Sequence, residues 1–96
     1  MNALMALYDS ELRDEVFTLM ELAKIKSYTQ FVGLHGSSEH GKKEGTVAWP
    51  GSNEIVLIIV NDEQKAHFHQ IVTDYKNERS TRPGLLLFDW NLNEVC

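Results

Sequence analysis

An unbroken run of six aliphatic residues at positions 55–60 constrains the fold more than any other feature of the sequence. Successive side chains of a β-strand point to opposite faces of its sheet, so a strand with one face in water alternates apolar and polar residues. Residues 55–60 do not alternate, and neither do residues 85–88, Leu-Leu-Leu-Phe. Both strands therefore require burial on two faces.

The first half of the chain predicts a strand, a helix and a second strand. Residues 3–8 form a short apolar run that indicates a buried strand. Asp9 and Ser10 have side-chain oxygens that can cap a helix. Apolar residues then recur at helical spacing from Leu12 to Ala23, which predicts a first helix over roughly 11–25. Residues 28–34 are rich in aromatic and β-branched types, which favour a strand.

The second half repeats this order. Asn61 and Asp62 follow the strand at 55–60 and can cap a second helix. Residues 77–84 end that helix as a loop, and residues 85–88 open a last strand. The second helix carries a single apolar stripe at positions i, i+3, i+4 and i+7, formed by Phe68, Ile71, Val72 and Tyr75.

This order predicts an α+β fold, the ferredoxin-like βαββαβ sandwich, with a long loop between the second and third strands. Its two helices lie on one face of an antiparallel sheet. Ninety-six residues suffice for a single domain over 1–96. Because the helices cover only one face, we expect the second face to meet another subunit. The alternative is a tolerated apolar surface, although large exposed apolar patches are rare.

Charge and cysteine content exclude several classes of protein. Nine Lys and Arg against 14 Asp and Glu give a net charge of −5, which argues against a nucleic-acid binder. The single cysteine, Cys96, excludes an internal disulfide framework and fits a reducing compartment. No apolar run could span a bilayer, and no signal peptide is recognisable. We expect a cytoplasmic protein without direct membrane insertion.

The long loop contains candidate ligands for an anion. Residues 35–45 hold glycines, serines and charges and nothing apolar, which predicts a solvated loop. The glycines lack the strand–turn–helix context of a phosphate-binding motif. Backbone amides near Gly36, Ser37 and Ser38 can still form a nest for an anionic effector.

The same loop contains candidate metal ligands. His35, Glu39 and His40 lie within six positions of one another, and imidazole with carboxylate suits zinc, copper or nickel. The spacing has no specificity of its own, so ordinary solvated loop residues are the alternative. His67 and His69 are about 200° apart around a helix and cannot chelate one ion together.

The sequence contains no recognisable catalytic set. The serines cluster in loops, and no histidine is placed by helix or strand spacing to activate them. We therefore expect a protein that is not an enzyme.

Residues 31–64 resemble the PII signal-transduction proteins and their PII-like relatives. Residues 31–36, Phe-Val-Gly-Leu-His-Gly, are similar to the end of the second PII strand, where a glycine pair opens the long T-loop. Residues 49–50, Trp-Pro, with 54–60 and 62–64, resemble the stretch that closes the T-loop and leads through the third strand into the second helix. The chain is similar to a divergent member of the nitrogen-regulatory PII superfamily.

Two departures from the PII proteins proper fall at the effector site that the resemblance implies. Ser37 and Ser38 occupy the place of an Arg-Gln pair. Residues 80–84, Ser-Thr-Arg-Pro-Gly, stand where a glycine-rich phosphate-binding segment with a lysine is usual, and the proline removes an amide donor. The resemblance places the effector contacts on Gly36, Ser37, Ser38 and Arg82.

The resemblance implies a homotrimer with its sheets facing inward and small effectors bound in clefts between subunits. We expect a regulatory protein that signals through the loop at 35–48 to a membrane transporter or another regulated protein. The effector would be an adenine nucleotide or a divalent transition metal. The alternative is a metal-binding or metal-responsive trimer associated with heavy-metal efflux, CutA-like in architecture, with His35 and His40 as ligands.

Overall fold

The computed structural model describes residues 1–35, 52–79 and 84–96. Its strands and helices follow one another in the predicted order. In chain order they are β1 Asn2–Asp9, a short 3-10 helix Ser10–Leu12, α1 Arg13–Leu22, β2 Thr29–His35, β3 Ser52–Val60, α2 Asp62–Asn77 and β4 Leu85–Asn91.

The four strands form one antiparallel sheet in the order β2-β3-β1-β4. β1 is central and pairs with both β3 and β4; Leu4 lies opposite Ile58 on one side and Asp89 on the other. α1 and α2 cover one face of this sheet. The predicted ferredoxin-like architecture is therefore confirmed. None of the described helices is both long enough and apolar enough to span a bilayer.

The core lies between the helices and the sheet. Alternate residues of the strands point into it, as the period of two requires. The predicted stripe of α2 is confirmed, because Phe68 and Val72 are buried while Ile71 and Tyr75 pack at its border. The other buried core residues are Leu4, Ala6, Tyr8, Val16, Leu19, Met20, Ala23, Ile25, Val56, Ile58, Val60 and Leu85.

The start of α1 lies later than the predicted start at residue 11. Asp9 accepts a hydrogen bond from the backbone N–H of Glu11 at 3.0 Å, so it caps as expected. The residues that it caps form the 3-10 helix Ser10–Leu12, and the regular helix begins only at Arg13. Such a tight turn is common at a helix N-terminus.

The end of α1 lies earlier than the predicted end at residue 25. Lys24 adopts a left-handed conformation with φ of 59°. Its N–H donates to the carbonyl of Glu21, and the N–H of Ile25 donates to the carbonyl of Met20, both at 3.0 Å. These two bonds form a Schellman motif, which closes the helix with lysine at the position that glycine usually occupies.

α2 begins with a complete capping box. The side chain of Asn61 accepts from the N–H of Gln64 at 2.8 Å, and the side-chain oxygen of Gln64 accepts from the N–H of Asn61 at 3.2 Å. Two otherwise unsatisfied backbone donors are thereby paired. The predicted cap at Asn61 is confirmed.

The face of the sheet that points away from the helices is also apolar. Because directly opposed residues share a face, the strand register identifies its members. Ile59 is 53% exposed and Trp90 is 43% exposed, while polar side chains lie at its margins at Thr29, Asp9 and Asn53. We call this surface the open face. Its apolar residues are Ala3, Met5, Leu7, Phe31, Ile55, Leu57, Ile59, Leu86, Phe88 and Trp90.

Candidate functional site

Both segments that carry predicted site residues are flanked by residues at the same end of the sheet. β2 ends at His35 and β3 begins at Ser52, and these two residues are partners in the register. Asp9 at the end of β1 donates its N–H to the carbonyl of Gly84, just before β4, at 2.9 Å. We call this the loop end of the sheet. It is the end at which β1 and β2 finish and β3 and β4 begin.

The predicted site residues themselves lie mostly outside the described residues. His35 is the last residue of β2, opposite Ser52. The predicted effector contacts and metal ligands therefore remain predictions. Those outside the described ranges are Gly36, Ser37, Ser38, Glu39, His40 and Arg82.

A buried carboxylate lies just inside the loop end. Glu54 of β3 has no solvent-exposed surface. Arg13 of α1 donates from Nε to both carboxylate oxygens, at 3.0 Å and 2.8 Å, and its terminal nitrogen also contacts Oε2. Gln30 of β2 donates to Oε1 at 3.2 Å. One carboxylate thus connects three elements of the fold.

This environment keeps Glu54 ionised. The hydrogen bonds from Arg13 lower the pKa of the Glu54 carboxyl and outweigh the opposing effect of burial. The same pairing raises the pKa of Arg13. Tyr8 is buried beside the carboxylate, and burial first and Glu54 second raise the pKa of its hydroxyl. That hydroxyl makes no hydrogen bond of good geometry to any described residue.

A second charged cluster joins α1 to the C-terminal end of α2. Glu15 accepts a hydrogen bond from the hydroxyl of Tyr75 and another from Arg79 at 2.7 Å. The guanidinium of Arg79 also lies 4.5 Å from the centre of the Tyr75 ring, a cation–π geometry. Burial, followed by the hydrogen bond to Glu15, raises the pKa of Tyr75 to about 12.

Two further hydrogen-bonded contacts lie at the loop end. The hydroxyl of Ser10 donates towards Ser52, with 2.9 Å to the carbonyl oxygen and 2.8 Å to the hydroxyl. Lys76 near the end of α2 donates to the carbonyl of Leu85 at 2.7 Å. The 3-10 helix is thus tied to the start of β3, and α2 is tied to the start of β4.

Glu54 and Arg13 were not among the site residues predicted from the sequence. A signal was present, because Glu54 shares its parity with Val56, Ile58 and Val60 and so falls on the face that the helices bury. A carboxylate on that face requires a cation or several donors. Periodicity does not reveal which cation, since Arg13 lies 41 residues away in the sequence.

The described residues bring no metal ligands together. Within residues 1–35, 52–79 and 84–96 there is no group of three or more His, Cys, Asp or Glu side chains that could hold an ion.

Comparison with solved structures identifies several proteins with this fold. The apo form of CPII from Thiomonas intermedia K12, a nitrogen regulatory PII-like protein, superposes with a TM-score of 0.67 at 13% identity, covering 93% of this chain and 85% of CPII. CPII bound to ADP, AMP and acetate gives 0.66 at 13% identity, with 97% and 88% covered. A PII-like signalling protein from Thermus thermophilus gives 0.62 at 18% identity, with 95% and 85% covered.

Comparisons by sequence give no match. No family model matches the chain, and no curated protein matches it. The likeness is therefore one of structure, and it extends over nearly the whole chain. It agrees with the element order, the sheet order and the two-helix layer described above. The resemblance to PII-like proteins is confirmed at the level of the fold: the chain has the PII-like, ferredoxin-like fold.

Proposed function

We propose that this chain is a regulatory binding module that assembles as a trimer, binds an adenine nucleotide between its subunits and signals through the segment at 35–48. The proposal rests on the position of the residues that flank both candidate effector-binding segments. His35 and Ser52 flank the first segment and Gly84 follows the second, and all three lie at one end of the sheet. A ligand bound at that end would lie beside the flanks of both segments.

The choice of an adenine nucleotide is supported by the likeness to CPII. That protein shares the fold and has been solved with ADP and AMP, and also with bicarbonate. Arg82 would supply the positive charge for a phosphate, and the backbone amides at Gly36, Ser37 and Ser38 would supply neutral donors. Both features recognise an anion, and they suit a nucleoside diphosphate or monophosphate.

The open face supports assembly. A domain of this size buries a modest core and gains stability by association. Contiguous exposed apolar surface is characteristic of an interface. The register places large side chains in rows across this face, so that a second copy would meet a nearly continuous apolar layer. Two such rows are Ile59, Ala3 and Trp90, and Leu57, Met5 and Phe88. The number three is taken from the PII resemblance.

We propose binding without catalysis. A general acid or base needs a pKa close to the working pH. Glu54, the buried carboxylate of the described residues, has its pKa moved in the opposite direction by Arg13. Its geometry suits the positioning of three elements. The proposed partner is a transporter or another regulated protein, and the net charge of −5 argues against nucleic acid.

Thermal-shift titration with ADP, AMP and ATP, and separately with zinc, copper and nickel, tests the proposal. A ligand that binds only the folded state raises the unfolding midpoint in a concentration-dependent way. We expect ADP or AMP to do so, and we expect Arg82→Ala to weaken the shift. Lys65→Ala, at the opposite end of the sheet, is the matched control and should leave it unchanged.

If no nucleotide shifts the midpoint, the proposed effector is wrong. A shift by a metal that the His35→Ala, His40→Ala double variant abolishes would favour the metal-responsive alternative. Metal affinity at these residues would fall as the pH drops through about 6.5, because the ligand is neutral imidazole.

A further inference from the structure

The first turn of α1 contacts both β3 and the end of α2, through two residues that are only two positions apart. Arg13 binds Glu54, two residues beyond the start of β3. Glu15 binds Tyr75 and Arg79, at the end of α2. One helical turn is therefore attached to the flanks of the segment at 36–51 and also to the flank of the segment at 80–83.

On the side of the segment at 36–51 the attachment has several bonds, and its carboxylate is buried. Glu54 is fully buried, and its carboxylate accepts hydrogen bonds from both Gln30 and Arg13. Ser10, three residues before Arg13, is bonded to Ser52. β2 and β3, which flank the segment, are thus held against the start of α1. The Glu54 carboxylate is removed from water and is little screened by salt, whereas the Arg13 side chain is half exposed, so this attachment should be only partly sensitive to ionic strength.

On the side of the segment at 80–83 the attachment combines a charge pair with an aromatic contact. Arg79, immediately before that segment, lies over the ring of Tyr75 while both bind Glu15. Lys76 bonds to the carbonyl of Leu85 beyond the segment. A displacement of Glu15 therefore acts on the last turn of α2, and Lys76 extends that contact to the start of β4.

We propose that the first turn of α1 couples the two flanks, with Arg13 and Glu15 as positioning residues through which a displacement at one flank reaches the other. The turn is suited to this because two planar peptide units join Arg13 to Glu15, so a displacement of the helix backbone at one residue moves the other. The significance for effector binding rests on the proposed function; the coupling itself is a property of the described residues.

The competing interpretation is two independent ion pairs that merely stabilise the fold. A stabilising pair affects its own neighbourhood or the whole domain. Coupling instead predicts a specific effect across the turn, at residues that the substituted side chain does not touch. Amide hydrogen exchange distinguishes the two, because it measures local opening residue by residue.

The experiment compares three variants of the full chain without nucleotide. Arg13→Lys retains the positive charge and loses the bidentate hydrogen-bond geometry. Glu15→Gln retains the shape and loses the charge. Asp89→Asn removes the ion pair with Lys65, 3.5 Å long and distant from the loop end, and serves as the control.

We expect each α1 variant to accelerate amide exchange at the flank that the substituted side chain does not contact. Arg13→Lys should accelerate exchange at 76–79 and 84–86, and Glu15→Gln at 30–34 and 52–56, by about three-fold or more, the lower range of coupling between contacting groups. The control should change neither region. The coupling proposal is wrong if each α1 variant affects only its own flank, if exchange accelerates equally throughout the domain, or if the control has the same effects.

A second arm adds ADP to each protein. If the wild type binds ADP, we expect ADP to slow exchange at both flanks in the wild type and at one flank in each α1 variant. Slowing at both flanks in the variants would contradict the coupling. If the wild type binds no nucleotide, the proposed effector fails, and the exchange data without ADP still decide the coupling.

Discussion

The Nε of Arg13, the first residue of α1, lies 2.8 Å from Oε2 of Glu54, a carboxylate of β3 with no exposed surface. The Arg13 side chain is half exposed, with 49% of its surface accessible. The pair thus links the solvent boundary to the interior at the loop end of the sheet, where the flanks of both candidate segments lie. Gln30 also donates to this carboxylate, so the charge state of the carboxylate affects α1, β2 and β3 together.

The pair should make stability sensitive to acid. Since Arg13 lowers the folded-state pKa of Glu54, its contribution is present above the unfolded value, about 4.3, and is lost as the pH falls through the folded value. Denaturant unfolding of the wild type and of Glu54→Gln across this range measures it. We expect the difference in unfolding free energy to shrink as the pH falls. A difference that stays constant with pH would show that the carboxylate charge contributes nothing.

Tyr75 should produce the opposite dependence at alkaline pH. Its folded-state pKa is raised to about 12. The stability that Tyr75 contributes is therefore fully present below the ordinary tyrosine pKa of about 10, and it is lost as the pH rises towards the folded-state pKa. Glu15→Gln keeps an acceptor for the phenol hydroxyl but removes the neighbouring negative charge, so we expect the pKa of Tyr75 to fall. Carbon-13 NMR of the tyrosine Cζ, with Tyr75→Phe to assign the signal, provides the measurement.

Ile58 and Ile59 are adjacent but should have different roles. Ile58 is 2% exposed and packs under the helices, whereas Ile59 is 53% exposed on the open face. Ile58→Asp would bury an unpaired carboxylate, which should lower the free energy of unfolding by roughly 3–5 kcal/mol and unfold the chain. Ile59→Asp should preserve the circular dichroism spectrum and abolish the assembly in sedimentation equilibrium. A trimer that survives Ile59→Asp would contradict the assembly through the open face.

The capping box of α2 should make a measurable contribution to stability. Asn61→Ala removes the acceptor for the N–H of Gln64 and should lower the free energy of unfolding by about 1 kcal/mol. Gln64→Ala removes the reciprocal bond alone and should cost less. His67→Ala, exposed on the same helix, is a control for helix propensity. Equal stability of Asn61→Ala and the wild type would show that water replaces the cap.

Much of the fold could be predicted from the sequence because its signals are local. The apolar stripe of the second helix and the aliphatic run at 55–60 each follow from neighbouring residues and a period of 3.6 or 2. The expected boundaries at 11–25 were wrong at both ends. The 3-10 helix Ser10–Leu12 and the left-handed Lys24 depend on backbone hydrogen bonds that residue type does not reveal.

The sequence by itself determined that residues 55–60 need burial on both faces, since no polar residue interrupts the run. Only the tertiary structure decided which residues go to which face. The register of β1 against β3 places Ile58 opposite Leu4 under the helices and leaves Ile59 opposite Ala3 on the open face. A shift of one residue would exchange the two sets. The same register brings Glu54 to Arg13, because contacts between residues far apart in the chain depend on strand pairing and helix packing and leave no periodic signal in the sequence.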